Sequence, residues 1–273
     1  MERLKILICV KTYPIPSAKY DELVCTAGVT ERGDFIRLYP INFRDLPFSR
    51  QYRKYQWIEV EAERHKGRDA RKESYRPREQ SIRTIGEPRP TGRGGDWSDR
   101  AKYVLAQKSQ SMEDLYARQK SDGVSLGVFR PKVVRDIVVT PDDPEWKQGF
   151  INALRQARLW DDRKASREPP RKVPFKFQYR FECDDDRCSG RHKMMIEDWE
   201  VGALFWRLVD QGKTHEEAAE GVKHKFFNEL AGPEKDTHFF VGTVLGHGTW
   251  VVIGVFWPAK PRTSKSPQQP GLF

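Results

Sequence analysis

Phe175-Lys176-Phe177-Gln178-Tyr179-Arg180-Phe181 sets four aromatic side chains on every second residue, with Lys, Gln and Arg between them. A period of two marks a strand with one buried and one solvated face. The strand runs into an acidic turn, Cys183-Asp184-Asp185-Asp186-Arg187-Cys188-Ser189-Gly190, and Arg191 to Glu197 supplies its hairpin partner. Asp198 is then placed to cap a helix carrying Val201, Leu204, Phe205 and Leu208. Thr214 and Glu217 have the spacing of a capping box, ahead of a helix with Ala218, Val222, Phe226 and Leu230 on one stripe. Gly232-Pro233 stops it. His238 to Val244 and Thr249 to Trp257 make a second hairpin around Leu245-Gly246-His247-Gly248. The order is ββααββ, a two-layer α+β domain over residues 175–259.

Upstream the pattern is strand-rich. Lys5 to Val10 is a short apolar strand closed by Tyr13-Pro14-Ile15-Pro16, and Glu22 to Thr30 and Asp34 to Tyr39 flank Glu31-Arg32-Gly33, a link that suits a hairpin. Gln56 to Ala62 continues the series, and several short strands with turn signals suggest a small β-barrel. From about residue 64 to 100 periodicity gives way to Gly, Pro and Arg, which reads as a long loop. Ser111-Met112-Glu113-Asp114 resembles a helix start and Gly123 its end, and Leu126 to Val139 is extended apart from Arg130-Pro131. Asp143-Pro144 reads as a helix opener ahead of Trp146, Phe150, Leu154 and Ala157. The expected organisation is a basic β-rich domain over 1–163, a polar linker over 164–174, the ββααββ domain, and a flexible tail over 260–273.

The chain has 273 residues and a formal charge of +10. Residues 1–172 hold 36 Lys and Arg against 25 Asp and Glu, a net of +11, and the remainder is close to neutral. Residues 64–93 are densest, with ten basic side chains against four acidic. Such asymmetry points to a polyanionic partner, because Lys and Arg that neutralise phosphates release counterions. The residues expected to meet nucleic acid are Arg68, Arg71, Lys72, Arg76, Arg78 and Arg83 from the loop, with Lys19, Tyr20, Tyr52, Arg53, Lys54 and Tyr55 from the barrel. Aromatic rings interleaved with cations suit single strands, whose bases stack while their phosphates meet charge. The bland reading is a solvated loop over rings that fill a core. Phe35 and Trp57 are expected inside, and Tyr13, Tyr20, Tyr52 and Tyr55 at the surface.

Two constellations carry chemistry. Cys183, Cys188 and His192 lie in a strand-turn-strand with C-x4-C-x3-H spacing, a set that would hold Zn²⁺ with a fourth group such as Asp184, His238 or a more distant residue. The alternative readings are two reduced structural thiols, or a redox pair that forms a disulfide on oxidation. Asp198 and Glu200, set against a carboxylate of the acidic turn, would suit a divalent metal and phosphodiester cleavage, although Asp198 also reads as a helix cap. Walker, G-x-G-x-x-G, G-x-S-x-G and H-E-x-x-H patterns are missing, which removes support for nucleotide-driven motors, Rossmann oxidoreductases, serine hydrolases and zincins. Neither a bilayer-spanning apolar run nor a signal peptide is evident, so the expectation is a cytoplasmic protein without membrane contact.

The leading expectation is a non-catalytic protein that binds DNA or RNA through the phosphate backbone and stacked bases. The first alternative is a metal-dependent nuclease using the acidic turn. The second is a zinc-stabilised adaptor meeting a protein partner through the C-terminal domain.

Overall fold

The computed structural model describes residues 1–17, 21–66, 69, 71–92, 95–152 and 168–260. The fold is mixed α+β, with a closed five-stranded barrel in the N-terminal region. Its strands are β1 (Glu2–Lys11), β3 (Asp21–Val29), β4 (Phe35–Ile41), β5 (Trp57–Arg64) and β6 (Ser74–Pro77), with the short β2 (Ile15–Ser17) added to β3. β1 is antiparallel to both β3 and β5, β4 lies on β3, and β6 closes the ring by running parallel to β4 and antiparallel to β5. β7 (Arg83–Ile85) pairs with the first half of β5.

Alternation explains why β1 is buried without a break from Ile6 to Val10. Ile6 and Ile8 point into the barrel with Val24, Ile36, Leu38, Ile58 and Val60. Leu7 and Cys9 face outward, a bulge between Ile8 and Val10 turns Val10 the same way, and all three are covered because a second layer packs there. A strand buried on both faces reads as a continuous apolar run.

Downstream lie α1 (Ser98–Val104), α2 (Met112–Asp122), β8 (Leu126–Phe129), β9 (Val133–Pro141), β10 (Phe175–Glu182), β11 (His192–Met195), α3 (Trp199–Asp210), α4 (His215–Lys223), β12 (His238–Thr243) and β13 (Trp250–Phe256). From β10 to β13 the order is the expected ββααββ. Each hairpin gains a strand from upstream: β9 pairs with β10, and β8 with β12, giving two three-stranded sheets. Val251, Ile253 and Phe256 of β13 pack with the barrel's outward side chains, whereas Trp250, Val252 and Val255 join the core beneath the helices. The sheet of β8, β12 and β13 is thus a middle layer, and all seven residues of β13 are buried.

Local signals place the helices. Ser111 caps α2 through its hydroxyl and Gly123 ends it at φ +65°. Asp198 caps α3, and Thr214 and Glu217 form the capping box of α4. A π-helical turn, His224–Glu229, follows, and the Tyr179 hydroxyl donates to the Phe226 carbonyl within it at 2.8 Å.

The structure corrects two local expectations. Residues 64–100 are not one long loop, since they supply β6, β7 and the start of α1. The chain after Asp143 does not open a helix, and the described helical residues begin at position 148. The reason is tertiary: the Lys172 ammonium donates to the Asp143 carbonyl and, at 3.0 Å, to Asp142, while the Trp146 indole donates to the Pro170 carbonyl at 2.6 Å. Residues 170–172 hold this segment in a bent, irregular path. Leu154, Ala157, the first part of the expected linker and the tail beyond residue 260 lie outside the described residues.

Candidate functional site

A cleft opens where the barrel meets the middle sheet. Alternation along β3 and β4 sends Leu23, Cys25, Arg37 and Tyr39 outward, while Val24 and Leu38 fill the barrel. Thr12 follows β1 and Ile15 opens β2, while Thr243, Val251 and Ile253 come from the sheet. Arg71 and Glu197 complete a cavity of about 250 Å³. A second cavity of about 200 Å³ shares Ile15 and Glu197 and extends to Asp142, Trp146 and Lys172.

Two arginines brace the cleft. Arg37 is 1% exposed, and its guanidinium donates to the Ser74 hydroxyl at 3.2 Å, the Ser125 hydroxyl at 2.8 Å and the Ser125 carbonyl at 2.8 Å. Ser125 in turn donates its backbone N–H and hydroxyl to Glu73, so a buried cation is answered by a buried anion through one serine. Arg71 grips Asp69 with two bonds of 2.6 Å and donates to the Thr243 carbonyl at 2.5 Å. Burial works to raise the Asp69 carboxyl, but the Arg71 hydrogen bonds overcome it and hold the group below its usual range. Arg71 commits three of its five donors in this way among the described residues.

Glu197 differs. Its backbone is fixed, with its N–H donating to Val252 and its carbonyl accepting from Tyr13, yet its carboxyl has no hydrogen bond among the described residues. Burial, with a further push from the Asp142 charge, raises that carboxyl to about 7. A carboxyl poised there can either donate or accept near neutral pH.

Beside the cleft, Lys54 stands 3.0 Å from Asp198 and 2.9 Å from Glu200. Lys54 is held charged above its usual range: burial opposes this, and the two carboxylates prevail. Burial also pushes Asp198 up to about 6 against the pull of Lys54. The pair singled out for nuclease chemistry is therefore a helix cap and its neighbour, bridged by one ammonium. The acidic turn lies elsewhere: Asp184 pairs with Lys132, and Asp185 accepts from Ser111 and Arg187.

The residues expected to meet nucleic acid fall into several environments. Tyr52 and Tyr55 are 1% and 4% exposed, so they are core rings and not stacking platforms. Tyr52 bonds Thr26 inside the barrel, and Tyr55 packs edge-on to Trp97 and Phe256. Lys54 is committed to its ion pairs. Arg71 turns into the cleft. Arg53, Lys72, Arg76, Arg78 and Arg83 are exposed. Carboxylates stand against several of these: Arg76 lies opposite Glu63 and Arg83 opposite Glu59 in the strand register, Arg78 contacts Glu61 at 3.3 Å, and Arg53 reaches Glu87 at 3.9 Å. Lys19, Tyr20 and Arg68 lie outside the described residues. Trp57 is buried as expected, and Phe35 is half-buried.

Cys183, Cys188 and His192 do come together, and the fourth member is Glu113 from the first turn of α2. Their ligand atoms all lie within 4.8 Å of one another. The His192 Nε2 and Glu113 Oε1 atoms are 2.8 Å apart, and the His192 ring stacks on Phe181 at 4.8 Å. Backbone N–H groups point at sulfur: Met112 at Cys183 at 3.4 Å, and Cys183 and Gly190 at Cys188 at 3.2 and 3.4 Å. Sequence spacing could not reveal Glu113, which is 70 residues from Cys183; the one clue was the helix start that places it in a first turn.

The site and fold define a barrel joined to a helix-backed sheet, with a protonatable cleft between them. The chain belongs to the family described as Domain of unknown function (DUF8757), whose model matches residues 108–273, and Domain of unknown function (DUF8758) matches residues 2–106. No curated protein matches the chain. Seven chains among solved structures do. One is described as the structure of a murine DNA binding protein bound with ds DNA; it is 10% identical with a TM-score of 0.31, and the match covers 97% of this chain and 100% of that one. Among the described residues no helix is long and apolar enough to cross a membrane.

Proposed function

We propose that the protein binds nucleic acid and takes one unpaired base into the cleft between barrel and sheet. The observation that carries this reading is the cleft: a mostly apolar slot of about 250 Å³ with few polar groups, one of them a carboxyl raised to about 7. Pockets for drug-sized ligands run to roughly 300–1,000 Å³, so this one suits a single ring system. Bases held out of a stack are read by hydrogen bonds to their edges against apolar and aromatic walls. Glu197 and the two uncommitted donors of Arg71 supply the first, and Tyr39 with Ile15, Leu23 and Val251 the second. The net charge of +10 supplies long-range attraction to a polyanion. Because several exposed arginines already face carboxylates, the phosphate contribution is smaller than the basic count suggests, and the cleft matters correspondingly more.

The test is a salt titration of binding to single- and double-stranded DNA and RNA, with and without EDTA. Single strands should bind more tightly than duplexes of equal length, EDTA should change nothing, and log Kd should rise with log salt. Glu197→Gln should weaken single-strand binding about tenfold, equivalent to about 1.4 kcal/mol. Failure of every nucleic acid to bind at low salt would overturn the reading. Unchanged affinity in Glu197→Gln and Arg71→Met would remove the cleft from it.

A further inference from the structure

We propose that the protein holds one structural Zn²⁺ through Cys183, Cys188, His192 and Glu113, fastening the start of α2 to the β10–β11 turn. Two sulfurs, an imidazole and a carboxylate drawn within 4.8 Å of one another make a complete tetrahedral set from protein alone, which is the mark of a closed structural site. The donors also choose the ion. Two thiolates with an imidazole suit Zn²⁺ and disfavour Mg²⁺ or Ca²⁺, which take oxygen ligands.

Three features show a site built for a cation beyond mere proximity. Glu113 Oε2 is buried without a hydrogen-bond partner, an expense that a metal at this point removes. The three N–H groups aimed at sulfur stabilise thiolates, and one of them, from Met112, belongs to the first turn of α2, where the helix dipole favours negative charge. His192 is oriented by its stack on Phe181, with its Nε2 directed at Glu113. Outside the ligands, Asp185 ties the turn together by accepting from Arg187 and from the α2 cap Ser111. Such outer contacts fix ligand orientation. On binding, the two thiols lose their protons to solvent while two Zn–S bonds form, and no redox change is involved.

The site is separate from the cleft, so its test does not depend on nucleic-acid binding. Full-length protein purified without chelator should contain one zinc per chain by elemental analysis. After metal removal under reducing conditions, Co²⁺ should restore the absorption of a tetrahedral thiolate complex. Glu113→Ala, in the first turn of α2 where alanine is a good helix former, should fold and bind zinc at least about tenfold more weakly, matching or exceeding the loss of an outer-shell partner. Cys188→Ser should abolish the cobalt–thiolate band. Folded, reduced protein that contains no zinc and takes up neither Zn²⁺ nor Co²⁺ overturns the proposal. So does a Glu113→Ala protein whose zinc affinity and cobalt spectrum are unchanged, which would exclude Glu113 and leave the set incomplete.

Discussion

Lys54 sets one ammonium between two carboxylates beneath α3, and the balance at that point is fragile. Replacing it with Met would leave Asp198, 1% exposed, facing Glu200 without its ion-pair partner and with the Lys11 ammonium as the remaining nearby cation. Breaking a buried pair on one side typically costs about 3–5 kcal/mol, so Lys54→Met should lower the urea midpoint sharply. Adding Asp198→Asn should recover part of the loss, because Asn removes the charge and still caps the helix. Glu197 makes a second expectation at this scale. Its folded carboxyl is raised to about 7 from 4.5, so stability from this group is fully present below about pH 4.5 and is lost as pH climbs through about 7. The full span is at most about 3 kcal/mol, at 1.36 kcal/mol per unit. Denaturation followed from pH 5 to pH 8 should show that decline, and Glu197→Gln should reduce it to the share that Asp198, raised to about 6, contributes at the acid end of the range. Residue character was only partly legible in the sequence. Asp198 read correctly as a cap, but its ion pair with a residue 144 positions away did not. Tyr52 and Tyr55 looked like surface rings because local charge surrounds them, yet tertiary packing drew both inside.

At the level of elements, caps and strand alternation were the readable signals. Ser111, Asp198 and the Thr214–Glu217 box all stand where the sequence put them, since capping depends on neighbours within one turn. β6 was missed because four residues ending in proline carry no periodicity, although they close the barrel. The Asp143-Pro144 helix start failed for the opposite reason: a good local signal lost to contacts from Lys172 and Pro170. Thr214→Ala should cost about 1 kcal/mol in thermal or urea denaturation, the usual value of such a cap. Gly28→Ala should be much worse. A Cβ there would lie 2.2 Å from the Leu7 carbonyl oxygen on the neighbouring strand, so β1 and β3 would have to part. Its measured loss should equal or exceed the roughly 1–3 kcal/mol of ordinary overpacking.

Across the whole molecule the fold class was legible, while the partnership between its halves was not. Barrel and sheet share one apolar layer in which Leu7, Val10, Trp57, Leu126, Phe240 and Ile253 belong to a single cluster. Sequence patterns report which faces are apolar, not which faces meet, so that layer had no signature of its own. Calorimetry of the full chain should therefore show one cooperative transition. Residues 1–106 expressed alone should bind a hydrophobic dye and exchange amide protons faster than the same residues in the intact protein.

Closure of the barrel restricts how anything can dock on the front half. Each of its five strands already has a hydrogen-bonded neighbour on both sides, so among the described residues the barrel leaves no long row of main-chain donors and acceptors to recruit an extra strand. A peptide seeking β-augmentation meets there only the short edges of β2 and β7, three residues each among the described residues. Whatever this half recognises must be met by side chains and turns.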